Sequence, residues 1–498
     1  MSGSCFLELP VDLLIDILCI LDPTDIINVR RTCNILAELG RKRSVWINAY
    51  RRVSEPNGLL ASTYPFEDMT IADLEFSSTA SSRFLNRIRR NSVDSSDYLS
   101  YVSEKILAHP SPDEAFINHA LVPGGRYLLT RSTNERVHLW DLGVHPLSPV
   151  NQTPLASLRV PSGGEYDMRL IQWTTDRRGI RLFLRVPIGQ ESLRFECYEI
   201  YPRSPNPSFR LVTTLTVQSP EWATPFWPAE NYIIFQQANV LTLWDMDTDR
   251  WAKVDAGGSA KQLDFCSGNI VILHDNGMTI SKIPPLHPRL PGEFEAPTDP
   301  SAAANSPVIH VPLRASLPHL PVLSTAAVSF HWRPYAASED LHYFIDLFVE
   351  GGGGPQVDQE GLRGGCEVQH YRYQPTSSLA PESPPSPEGS DAGPSYVPVC
   401  LAHTPLPGTT WRDLGMAKSV WITNEDVIYF WQDRRDVKVG TTRVIGDEQA
   451  DCVLKTVLLH EFDTEYEACP FLGRMCVRSE VANREIAILD FLGGPPLE

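Results

Sequence analysis

The stretch from Leu9 to Tyr50, LPVDLLIDILCILDPTDIINVRRTCNILAELGRKRSVWINAY, is too short for a catalytic domain and too densely patterned for a linker. Leu13, Leu14, Ile17, Leu18 and Leu21 recur at steps of one, three and four, which predicts one broad apolar face on a helix opening near Pro10. Pro10 suits a first helical position, where a missing N–H is no loss. Asp22 is placed to cap a second helix, with Pro23 at its first position and Asp25 near the positive helix end. Ile26, Val29, Cys33 and Leu36 then step by three or four. Gly40 breaks the pattern, and Val45, Trp46, Ala49 and Tyr50 predict a third short helix. Three short helices in about 42 residues bury too little surface to stand alone, so this piece completes its core against something else.

In their order, these features resemble an F-box: the Leu9-Pro10 opening, the Ile/Leu-rich helix from Ile17 to Leu21, the Leu21-Asp22-Pro23 turn, Val29-Arg30 with Cys33, and the terminal Trp46. In that family the segment docks the Skp-type adaptor of a cullin-based ubiquitin ligase. The resemblance covers about a tenth of the chain. It implies that Leu9, Pro10, Ile17, Leu18, Leu21, Pro23, Ile26, Val29, Leu36 and Trp46 lie at the adaptor interface or directly support it. The two prolines set helix starts. A three-helix cap packed on the larger body would use the same apolar residues with a different partner.

Composition narrows the classes. Lys and Arg total 43 and Asp and Glu 61, a net charge of -18. Residues 1–52 hold 7 basic and 6 acidic groups, so the remainder carries about -19. That balance disfavours nucleic acid and anionic membrane as partners. The basic groups Arg41-Lys42-Arg43 and Arg51-Arg52 read as solvated helix ends. No apolar run approaches a membrane span, and no basic segment precedes an apolar one as in a secretory signal. An intracellular location, cytoplasmic or nuclear, is expected. The ten cysteines include no Cys-x-x-Cys pair, which predicts buried thiols in a reducing compartment.

The F-box-like module is expected over residues 5–52, followed by a partly helical connector over 53–110. Thr70 and Asp73 have capping-box spacing, and Ile71, Leu74, Phe84, Leu85 and Ile88 form an interrupted stripe. The serine-rich stretch Ser77 to Ser82 weakens a helix in its middle, so one or two helices are expected between Thr70 and Arg90.

Beyond residue 110 the period changes from helical to alternating. Arg126 to Thr130 and Arg136 to Asp141 form one predicted hairpin, and Asn231 to Phe235 with Val240 to Asp245 a second. Both end in Leu-Trp-Asp, their tryptophans 104 positions apart (244 minus 140), or two repeats of about 52 residues. Leu170 to Trp173, Ile180 to Val186 and Leu193 to Ile200 read as three strands of one further unit. Asn269 to Leu273, a tight turn at Asp275-Asn276-Gly277, and a series from Val420 to Phe491 continue the pattern. Many short strands make an all-β body over 111–495, with irregular insertions near 284–321 and 350–398 where Pro, Gly and Ser accumulate. Through Trp140-Asp141 and Trp244-Asp245 this body resembles a WD-repeat-type propeller; each Trp is expected to wedge between sheets with its N–H on a polar partner. The fold class is multidomain: a small all-α F-box module followed by an all-β propeller-like domain.

Catalytic patterns are missing. Gly351 to Gly354 lack the Lys and Ser or Thr of a phosphate loop, and Asp245-x-Asp247-x-Asp249 lacks the Gly and Glu of a calcium loop, leaving a solvated acidic turn. No His-Glu-x-x-His series or Gly-x-Ser-x-Gly elbow occurs, and His138, within a strand, reads as a structural group. The chain is therefore expected to be non-catalytic, without cofactor or metal. The reading is a substrate receptor that binds a Skp-type adaptor, and through it a cullin ligase, while the β body holds a target protein. An interaction scaffold independent of ubiquitination is the alternative. An enzyme or small-ligand sensor would need a pocket of convergent polar groups.

Overall fold

The computed structural model describes residues 8–54, 59, 63–90, 97–146, 148–160, 171–188, 192–218, 226–229, 231–237, 239–255, 260–266, 269–274, 277–289, 308–309, 327–334, 341–350, 366–375, 396–406, 418–422, 426–433, 436–444, 452–457, 464–479 and 483–494. The N-terminal module has four helices rather than three: α1 (Val11–Ile20), α2 (Pro23–Arg30), α3 (Asn34–Leu39) and α4 (Arg43–Ser54). The expected second helix divides because Cys33 is extended, with φ -158° and ψ 163°, and α3 restarts after it. Asp22 holds the cap position of α2 with Pro23 behind it, but its side chain makes no cap bond. Its carbonyl instead accepts the N–H groups of Asp25 and Ile26 at 2.9 and 3.0 Å. Leu14, Leu18, Ile26, Leu36, Leu39, Val45, Trp46 and Ala49 are buried. Trp46 Nε1 donates to the Gly40 carbonyl at 2.8 Å, which fixes the turn between α3 and α4 around the ring.

The connector contributes one unbroken helix, α5 (Ile71–Arg90). Its capping box is closed in both directions: Thr70 N donates to Asp73 Oδ2 at 2.8 Å and Asp73 N to Thr70 Oγ1 at 3.2 Å. The serines do not interrupt it. Ser78 Oγ donates to Leu74 O and Thr79 Oγ1 to Glu75 O, so these hydroxyls are satisfied by their own helix. Leu74, Phe76, Ala80, Phe84 and Ile88 are buried, and tertiary packing overrides the weak local propensity.

The β body opens before residue 111, with β1 (Ser103–Ala108). Antiparallel meanders follow: β2 (Phe116–Leu121), β3 (Tyr127–Ser132), β4 (Arg136–Asp141) and β5 (Ala156–Arg159); β6 (Ile171–Trp173), β7 (Ile180–Ile188), β8 (Ser192–Ile200) and β9 (Arg210–Gln218); β10 (Phe226–Ala229), β11 (Tyr232–Gln237), β12 (Val240–Asp245) and β13 (Arg250–Asp255). β14 (Ala260–Cys266), β15 (Asn269–His274) and β16 (Gly277–Lys282) form a sheet of three, and β17 (His287–Pro288) and β18 (Val308–Ile309) pair with β13. Next come β19 (Ala327–Pro334), β20 (Leu341–Glu350), β21 (Cys366–Pro375) and β22 (Tyr396–Leu406), then β23 (Lys418–Trp421), β24 (Asp426–Asp433), β25 (Asp436–Arg443) and β26 (Cys452–Val457). β27 (Thr464–Cys469), β28 (Arg474–Ser479) and β29 (Glu485–Asp490) close the series, with β1 supplying the outer strand in the order β1-β29-β28-β27. Among the described residues there are seven sheets; five are runs of consecutive strands, the sheet of β10–β13 also takes β17 and β18 on its edge, and the last is completed by β1. That is the strand order of a propeller-type series.

Both Leu-Trp-Asp segments are third strands of their sheets, β4 and β12, with β6–β9 between them, which accounts for the two-repeat spacing. Trp140 and Trp244 are buried, and their N–H groups donate to Thr130 Oγ1 at 2.8 Å and Asp249 Oδ1 at 2.9 Å. The two expected insertions are corrected in part. β17 and β18 fall within 284–321, and β21 falls within 350–398, where its residues from Cys366 to His370 alternate between buried and half-buried as a paired strand requires. Residues 290–307, 310–321, 351–365 and 376–395 of those spans, and the turn at 275–276, lie outside the described residues.

The chain divides into two compact units, Met1–Ser157 with Arg435–Thr441 and Val453–Glu498, and Leu158–Arg434 with Thr442–Cys452. The first centres on Arg474, fully buried. It pairs with Asp490 at 2.6 Å and donates to the carbonyls of Gly125 at 2.8 Å and Gly143 at 3.1 Å. In the second, Phe183, Phe195, Leu215, Ile233, Phe235 and Trp244 form an apolar cluster between β6–β9 and β10–β13.

Candidate protein-interaction surface

α1 has two apolar faces. Leu14 and Leu18 point into the module, 1% and 2% exposed, and contribute to its core. Leu13, Ile17 and Ile20, at steps of four and three, form the other face, where Leu13 is exposed, Ile17 half-buried and Ile20 72% exposed. Leu9, Val11 and Ile35 are exposed as well. Of the thirteen exposed large hydrophobic residues among those described, five lie between Leu9 and Ile35.

The predicted residues therefore separate into two groups. Leu9 and Pro10 are exposed, and Ile17, Leu21 and Val29 are half-buried, so a partner can reach them. Leu18, Pro23, Ile26, Leu36 and Trp46 are buried within the module and can only support the surface from beneath. Val11, Ile20 and Ile35 are exposed as well though the resemblance does not point to them, and Leu13 falls on the outer of two apolar faces rather than on a single one. The signal was present: residues 13, 14, 15, 17, 18 and 20 are all apolar, more than one inward face can use.

Behind this surface the module is tied to α5 and the adjoining sheets of its own unit. Arg30 stacks over Trp46 at 5.9 Å and pairs with Glu75 of α5 at 2.5 Å. Arg43 donates to the carbonyls of Met69 and Phe66. Tyr50 packs edge-on against Tyr64 and Phe66, with centroids at 6.0 and 5.5 Å. Tyr64 then donates to Gly124 O at 2.7 Å, and its burial pushes the phenol above its usual pKa range. Arg126 joins Thr63 O to Asp141, and His145 Nε2 meets Asp73 at 2.8 Å. Phe84 packs on Phe491 at 5.5 Å, next to Gly473, whose φ of 61° and tight contact with Leu492 leave no place for a Cβ.

The polar clusters seen among the described residues of the β body make structural bonds. His370 bonds Asp346 at 2.7 Å, Thr404 at 3.0 Å and Tyr429 at 2.8 Å, with all four groups fully buried. Its position on three strands and a neighbouring sheet pins the sheet rather than meeting a ligand. Arg181 joins Glu199 at 2.9 Å and Asp247 at 3.0 Å, while Asp249 pairs with Arg289 at 2.7 Å. The acidic run from Asp245 to Asp249 is therefore engaged in ion pairs and turn bonds, not merely solvated as expected. His138 donates or accepts at Ser157 Oγ, 2.7 Å away. Burial pushes the Cys197 thiol up to about 12 and raises those of Cys469 and Cys476, as inert core thiols require. Among the described residues no group of three or more His, Cys, Asp or Glu could hold a metal ion, and no helix is long and apolar enough to cross a membrane.

The F-box-like family model matches residues 6–52. No curated protein matches the chain. Among solved structures, U3-55K is similar with 9% identity over 78% of this chain and 99% of its own, at a TM-score of 0.40. The RRP9 WD40 repeats show 9% identity over 79% and 98%, at 0.41, and a chain of the mitotic checkpoint complex 8% over 79% and 94%, at 0.39. Residues 6–52 are thus matched by the F-box-like model, and the antiparallel sheets that follow make an all-β body.

Proposed function

We propose that this chain is the substrate-receptor subunit of a cullin-based ubiquitin ligase. The F-box-like module binds a Skp-type adaptor, and the β body binds the target protein. The observation that carries this reading is the outward stripe of Leu13, Ile17 and Ile20, with Leu9, Val11 and Ile35 near it in sequence, left over after Leu14, Leu18, Ile26, Leu36 and Trp46 have filled the module's core. An apolar face that folding leaves uncovered favours a helical partner with a matching groove. The chain's contribution to chemistry is proximity: a target held beside a ubiquitin-charged enzyme reacts at raised local concentration, with no nucleophile from this chain. The contacts of α5 with Phe491 and of Arg30 with Glu75 on α5 favour a module held firmly against the sheets of its own unit.

The test is partner identification from cells expressing the full chain or its Leu13→Asp/Ile20→Asp variant. Adaptor and cullin should accompany the wild type and be lost from the variant, while proteins held by the β body remain with both. Adaptor and cullin missing from the wild type, or equally abundant in both, would overturn the reading.

A further inference from the structure

A sheet edge presents unpaired N–H and C=O groups, and proteins guard such edges. The guards are visible across the two units. On β1, Gln152 acts as a substitute strand: its Oε1 accepts from Ala108 N at 3.0 Å and its Nε2 donates to Ile106 O at 2.9 Å. On β26, the chain at Asp97–Leu99 pairs in parallel, with Leu99 N to Thr456 O at 2.8 Å and Thr456 N to Asp97 O at 2.7 Å. On β13, the edge is covered by β17 and β18. β22 carries Pro398 and Pro405, which donate no hydrogen bond; β5 is four residues long, and β16 ends on Lys282.

Among the described residues β9 has no covering segment and no proline, only a terminal Arg210 and one bulge. It is nine residues long, RLVTTLTVQ, without Pro, Lys or acid, and among the described residues it pairs only with β8. Leu215 and Val217 are buried in the cluster beneath. A bulge between Thr213 and Leu211 adds Val212 to the strand, and both Leu211 and Val212 are exposed, at 48% and 38%. The strand's first residue, Arg210, has a side chain 71% exposed even while bonding Glu199. Arg203 is exposed in the turn before it, and Arg177 and Arg178 are exposed in the β6–β7 turn, which the meander order places at the same end of the sheet. Among the described residues at that end, Glu199 bonds Arg181 and Arg210, and Asp176 bonds Thr174 and the Arg178 N–H.

We propose that the outer edge of β9 is a strand-addition site for an extended acidic segment of a partner protein. Its backbone completes the ladder, its apolar side chains cover Leu211 and Val212, and its carboxylates meet the arginines where β9 begins. The chain's own dipeptides on β13 show the same kind of occupancy one sheet away. A nucleic acid, also anionic, would extend beyond this small basic end over a protein of net charge -18. The inference concerns the β body alone and is independent of adaptor capture.

The probes are nine-residue peptides alternating Val and Thr with two Glu at either end, and the same peptides with Lys in place of Glu, offered to the full chain without adaptor. Binding of a Glu peptide should protect the amides of 210–218 from hydrogen exchange, weaken about tenfold in Val212→Lys and in Arg203→Glu, and be absent for the Lys peptides. Equal binding of Lys peptides, protection elsewhere, preference for a single-stranded oligonucleotide, or self-association of the chain removed by Val212→Lys would each overturn the proposal.

Discussion

Leu18 and Ile20 stand two residues apart on one helix and do opposite work. Leu18 is sealed in the module's core, so Leu18→Ala should cost about 2–5 kcal/mol of stability. Ile20 faces outward, and Ile20→Ser should change stability by no more than about 0.5 kcal/mol. Denaturant titration of the two variants checks this, and equal losses would mean the two faces had been misassigned. His138 makes a prediction about pH. Burial, with His109 and Arg136 adding to it, pulls its pKa down to about 4 from 6.5. Below 6.5 the unfolded chain binds a proton that the folded one refuses, so stability falls between pH 6.5 and 4, by up to roughly 3 kcal/mol from this group. Above 6.5 both states are neutral and the group contributes no pH dependence. His138→Gln should flatten the acid limb of a stability–pH curve; an unchanged limb would remove His138 as its cause.

At the scale of elements, α5 links the module to the sheets in its unit. Phe84→Ala removes the ring that packs on Phe491 and should cost about 3–5 kcal/mol, with hydrogen exchange rising in α4 as well as α5. Exchange confined to α5 would show that the module does not depend on it. The capping box at Thr70 and Asp73 and the two Leu-Trp-Asp hairpins were legible in the sequence, because each is a local pattern with a local reward. The continuity of α5 through Ser77 to Ser82 was not, because burial of Phe76, Ala80 and Phe84 against distant residues decides it. The outward stripe on α1 was half legible. Periodicity marked the residues as apolar, but only the filled core shows which of them are surplus. The guards at Gln152 and at Asp97–Leu99 carry no sequence signal, being contacts across long separations.

For the molecule as a whole, the closing sheet joins the first and last strands of the β body. β1 pairs with β29 along its full length, and Asp490 at the end of β29 neutralises the buried Arg474. A chain ending at Ser479 would lose the strand between β1 and β28 and leave Arg474 uncompensated, at a cost of about 3–5 kcal/mol for the charge alone. Such a chain should lose its cooperative thermal transition, and a retained transition would show that closure is dispensable. The outward face of α1 is the proposed seat of the partner. Calorimetric titration of a purified Skp-type adaptor into the full chain measures that directly. A one-to-one complex should form, and Leu13→Asp/Ile20→Asp should weaken it at least about a hundredfold at an unchanged melting temperature. Equal affinity for the wild type and the variant, or no heat with either, would contradict the claim.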